Sequence, residues 1–70
     1  MTPTGIDRDN AALMEQTAAE EFRAGRIADG LYFLDAADYW AEPSPETVSA
    51  RIVLLQQAME TLSERTEAER

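Results

Sequence analysis

The chain has 70 residues, fourteen acids against six bases, and a net charge of −8; all six bases are arginine. Cysteine and histidine are absent, which excludes disulfides and thiolate metal sites and removes the usual general base and commonest metal ligand. The acidity disfavours direct contact with nucleic acid or an anionic membrane, because phosphate binding needs a basic patch, and it favours a basic protein surface as partner.

A chain this short makes one domain, spanning residues 1–70, and buries only about 60% of the surface its unfolded form exposes. No apolar run is long enough to cross a bilayer and no signal-peptide pattern opens the sequence, so a cytoplasmic protein of bacterial or phage type is expected. Residues 1–6 carry Pro3 and Gly5 and are expected to form a flexible arm. Asp7 or Asp9 then caps a first helix. Ala11, Met14, Ala18 and Phe22 recur along it at helical spacing as one apolar face, and Gly25 terminates it.

The second helix is predicted over Arg26 to Ala41. Ile27, Gly30, Leu31, Leu34, Ala37 and Ala41 form the centre of a broad apolar face. Phe33 and Trp40 flank it, and Tyr32, Ala36 and Tyr39 lie nearly opposite. A helix apolar on most sides is usually surrounded, so this one is expected at the centre of the fold, or with one side against another chain. Ser44, Pro45 and Glu46 then form a helix start. The third helix should run to about Arg65, with residues 66–70 as a frayed tail. Val48, Ile52, Leu55, Met59 and Leu62 alternate four and three residues apart in a heptad seam, widened on one side by Leu54 and Ala58. No segment has the alternation of a strand. The fold class is therefore all-α, a three-helix bundle built on a helical hairpin plus a longer third helix.

The hairpin resembles a tetratricopeptide repeat. Met14 falls at that family's first large position, Ala18 at the small position where the helices cross, and Gly25 at the turn. Ile27 fills the bulky site that follows, and Gly30, Leu34 and Ala37 match the small, large, small series of the second helix. Two residues depart from the pattern: Glu21 stands where an aromatic is expected, next to Phe22, and the closing proline, Pro43, is one residue late. The likeness covers about thirty residues. With its longer third helix the chain also looks like a microtubule-interacting and transport domain. Both resemblances imply peptide or protein binding in a groove between helices.

Candidate chemistry is sparse. Asp35, Asp38 and Glu42 lie at i, i+3 and i+7, a spacing that could bind a divalent cation. With no histidine or glycine-rich loop beside them, a solvated acidic edge is expected instead, so metal and cofactor sites are read as none. Asp38 falls beside the apolar centre and should meet an arginine such as Arg51 across a helix interface. The serines and threonines have no base to activate them, so no catalytic residue is assigned. Trp40 is weighed between the core and a partner contact. Tyr32 and Tyr39, flanked by acids, face away from the main stripe and are weighed between a contact with the third helix and an intermolecular interface.

The expected function is a non-enzymatic acidic protein–protein interaction module or adaptor. Tyr32, Asp35, Tyr39, Trp40 and Glu42 are its partner-binding residues, and a homodimer should form through the third-helix seam or the tyrosine face. A phage-type acidic inhibitor, anti-CRISPR-like and imitating nucleic acid through Glu15, Glu20, Glu21, Glu60, Glu64 and Glu67, is the alternative. A small accessory subunit of a larger enzyme is the third.

Overall fold

A computed structural model describes residues 5–68 of the chain, with side chains through Thr66. It contains α1 (Gly5–Arg23), α2 (Ile27–Trp40) and α3 (Pro45–Ala68), and no strand among the described residues. The fold is the expected all-α bundle, a hairpin of α1 and α2 joined by a longer α3.

The hairpin turn follows from Gly25. Its φ of +83° is open to glycine at little steric cost. The Gly25 N–H donates to Phe22 O at 3.0 Å and the Arg26 N–H to Glu21 O at 2.9 Å. These are the two bonds of a Schellman motif, which satisfy the last carbonyls of α1. An apolar contact usually joins the two ends of that motif. Here an ion pair between Glu21 and Arg26 joins them instead. This is the local role of the acid that stands where the repeat resemblance expects an aromatic.

The helices meet through small residues. Ala18, Gly30 and Ala37 are buried at the α1–α2 contact, and Phe22, 1% exposed, is the one large side chain fully enclosed among the described residues. Its ring fills the notch left by Gly30, where an added Cβ would lie 2.4 Å from Phe22 Cε1. Leu34 and Ala58 complete this small core, and Ile27, Phe33, Leu54 and Leu55 pack around it.

α3 starts as its sequence predicts. Ser44 Oγ accepts from the Thr47 N–H at 3.2 Å, an N-cap that leaves Pro45 in the first turn, where its missing N–H does no harm. From there α3 runs parallel to α1. Arg51 reaches Glu15, Ala58 joins Phe22 in the core, and Arg65 lies over Gly25 at the end of α1. α3 barely touches α2.

Several expectations change. α1 is the central element, with α2 and α3 both packed on it, because its small residues admit close neighbours on two sides. α2 is consequently not surrounded, and Leu31, Tyr32, Tyr39 and Trp40 are exposed. α1 begins at Gly5, so the helix takes in the last two residues of the expected arm; residues 1–4 lie outside the described residues. Asp7 and Asp9 therefore sit inside the helix rather than before it. α3 continues to Ala68, through much of the expected tail, of which residues 69–70 lie outside the described residues.

Gly30→Ala should destabilise the fold. Overpacking costs about 1–3 kcal/mol, against a gain of about 1 kcal/mol in helix propensity. Thermal denaturation should show a lower Tm for this variant and little change for Gly5→Ala, whose Cβ meets nothing within 4 Å.

The turn also makes stability depend on pH. The hydrogen bond from Arg26 holds the Glu21 carboxyl below its ordinary value. A lowered folded-state value adds stability above the ordinary carboxylate range and loses it as pH falls through the folded value. Acid titration of helicity should therefore be less steep in Glu21→Gln than in the parent chain.

Candidate interaction surfaces

One side chain ties the three helices together. Arg51 of α3 donates from Nη2 to Glu15 Oε1 of α1 and, at 2.8 Å, to Asp38 Oδ1 of α2. The Asp38–Arg51 pair matches the sequence-based expectation; the Glu15 partner was not foreseen. The Arg51 side chain is 12% exposed, and its buried Nε has no hydrogen-bond partner. Bonding to Glu15, reinforced by Asp38 against the opposing effect of burial, holds the guanidinium above its ordinary value. Its positive charge is thus constant over the whole working pH range.

This clamp belongs to a seam of its own. Thr47, Arg51, Leu54, Ala58 and Thr61 are spaced four, three, four and three, and all are buried or half-buried. Each polar hydroxyl in the series has a local partner: Thr47 pairs with Ser44 Oγ, and Thr61 Oγ1 donates to Gln57 O at 3.0 Å. The seam expected from the sequence lies one residue later, about 100° round the helix. Val48, Ile52, Met59 and Leu62 on it are exposed, and Leu55 is half-buried against the core. α3 therefore packs on the hairpin through the smaller, more polar of two seams.

The α2 candidates divide. Tyr32, Asp35 and Tyr39 are exposed at i, i+3 and i+7, one stripe about 10 Å long on the face away from α1. Tyr39 is 82% exposed. Its ring meets Trp40 edge to face with centroids 5.4 Å apart, and Tyr32 meets Phe33 the same way at 5.3 Å. Trp40, 38% exposed, stands at the surface beside Tyr39 rather than in the core. Glu42 leaves this group. α2 ends at Trp40 and Ala41 is extended; Pro43 in turn disfavours helical backbone at Glu42, the residue before it. Glu42 instead lines an open cleft of about 450 Å³ with Ala11, Ala37, Ala41 and Pro43.

The acidic edge of Asp35, Asp38 and Glu42 is likewise taken apart. Asp38 turns to Arg51, and Glu42 lies past the helix end. Among the described residues no group of three or more acids is placed to hold a metal ion, and no helix is long and apolar enough to cross a membrane.

No protein family, curated protein or solved structure matches the chain.

Replacing Arg51 by methionine should loosen α3 before the hairpin. Two charge-assisted hydrogen bonds are lost, while the freed carboxylates can rehydrate, so about 1–3 kcal/mol of destabilisation is expected. Amide hydrogen exchange should show protection falling in α3 while it persists in the facing halves of α1 and α2.

Proposed function

We propose that this chain is a non-enzymatic protein–protein interaction module that docks through the exposed face of α2. The observation that carries this reading is the Tyr39–Trp40 pair, an edge-to-face aromatic couple standing on the surface of α2. Tyrosine and tryptophan bring large, rigid contact area to interfaces and dominate their energetics. Tyr32 extends the face along the helix, and Asp35 lies between the two tyrosines. With a net charge of −8, the chain attracts a basic partner and repels an acidic one. The acids then act on the rate and selectivity of encounter, and the aromatic anchors set the lifetime of the complex.

Affinity capture from host lysate at low and high salt, with the parent chain and Tyr39→Ala, tests this. Removing a hot-spot tyrosine costs about 2 kcal/mol, roughly thirty-fold in affinity. The partner should be retained at high salt and lost with Tyr39→Ala, while helicity is unchanged. A partner that survives Tyr39→Ala and is released by salt would overturn the anchor reading in favour of the acidic inhibitor, whose carboxylates would be the binding groups. A chain that folds only beside a larger enzyme would favour the accessory subunit.

A further inference from the structure

We infer that the open seam of α3, Val48, Ile52, Leu55, Met59 and Leu62, is a self-association surface whose occupant is the same seam of a second copy. The surface is distinct from the aromatic face of α2, and the inference does not depend on the function proposed for that face.

Three observations specify the occupant. The first is periodicity. The five residues keep the four–three spacing over two heptads, a strip about 21 Å long. A strip with that repeat is matched by a helix with the same repeat, and α3 of another copy carries it by identity. A two-fold arrangement makes such a patch complementary to itself. The residue types suit a pair of helices: Ile52 and Met59 occupy one set of core positions, and Val48, Leu55 and Leu62 the other.

The second observation is charge. A chain at −8 should resist its own copy, yet the acids are kept off this strip. Glu46, Glu60 and Glu64 fall on the far side of α3, at least about 120° from the seam centre. The outer shoulder is Ser49, Gln56 and Ser63, all exposed and uncharged. On the inner shoulder, Arg51 is bound by two carboxylates and Ala58 is buried. Two α3 helices can therefore approach without opposing carboxylates of their own, and the acids nearest the strip, Glu15 and Asp38, are engaged by Arg51. The α2 face differs, because Asp35 stands between its tyrosines. That face would set like charges together in a homodimer and suits a basic partner instead.

The third observation is area. Val48, Ile52, Met59 and Leu62 all stand exposed on α3, apolar area that pairing with the same strip would remove from water. α3 is already helical and held by the hairpin, so pairing need not fold it first.

The test is sedimentation equilibrium of the full chain over a dilution series, run with Met59→Glu and Tyr39→Ala. Met59 is 61% exposed, so the first substitution should leave helicity intact by circular dichroism. The expected result is a parent dimer that dissociates on dilution into the micromolar range, a dimer for Tyr39→Ala, and a monomer for Met59→Glu. A parent chain that stays monomeric at hundreds of micromolar overturns the inference. So does a dimer that survives Met59→Glu and is broken by Tyr39→Ala, which would place self-association on α2. If Met59→Glu loses helicity, the cysteine-free chain allows a second measurement. Ile52→Cys should form a covalent dimer on mild oxidation in a parallel pair, and Ile52→Cys mixed with Leu55→Cys or Leu62→Cys should do so in an antiparallel one; failure of all of these to crosslink at dimer-forming concentrations counts against the seam.

Discussion

The seating of the Phe22 ring in the space left by Gly30 underlies the rest of the structure. A chain of 70 residues can enclose few large side chains, and here Phe22 alone is fully enclosed among the described residues. The ring fits because α2 has no Cβ at that point, and the close approach continues along Ala18 and Ala37. With α1 and α2 so near, the Schellman turn at Gly25 can join them directly. Ala58 from α3 then closes the core against Phe22. A wider hairpin would leave voids around the ring, each forfeiting the dispersion contacts that hold a small core together.

That narrow core explains which face α3 buries. The place beside Phe22 accepts an alanine, and the groove between α1 and α2 offers Glu15 and Asp38 to an arginine. Ala58 and Arg51 meet both conditions and are seven residues apart, two helical turns on the same face. Met59 is bulkier than Ala58, and Ile52 has no charge to pair with the two carboxylates. An ion pair of this type contributes less to stability than to register, since removing charges from water offsets much of their attraction. Arg51 selects one of two adjacent seams, and the more apolar seam is left outside.

Two strips of the exposed apolar surface, one on α2 and one on α3, differ in chemistry, while Ile6, Leu13, Leu31 and Val53 are exposed outside both. The α3 strip is aliphatic, regular and free of acids, which suits an identical helix. The α2 strip is aromatic, with an acid at its centre, which suits a basic surface of another protein. If α3 seams pair, each assembly presents two α2 faces, and a partner with two sites would gain avidity from their fixed separation. On the proposed reading the chain's charge would have two effects at once: it would steer a basic partner and disfavour contacts between the acid-bearing faces of two copies.

Helix number and punctuation were legible in the sequence because they depend on neighbouring residues: Gly25 at the turn, Ser44 as the cap, Pro43 and Pro45 around the break. The Asp38–Arg51 pair was legible because an acid beside an apolar centre needs a cation. The Glu15 arm of the clamp was not, since thirty-six residues separate it from Arg51. The aromatic stripe could be drawn on a helical wheel, but not the loss of Glu42 from it, which required knowing that Ala41 is extended. The periodicity of α3 was legible, but whether that seam packs on the hairpin or stays open to another chain was not. Hydrophobicity favours the Val48–Leu62 seam, whereas the shape of the space beside Phe22 and the position of two distant carboxylates favour the one before it. Local propensity and spacing are properties of the sequence alone and fixed the three helices. Which face of the last helix turns inward depends on the volume and charge that the first two enclose, and only the tertiary structure decided that.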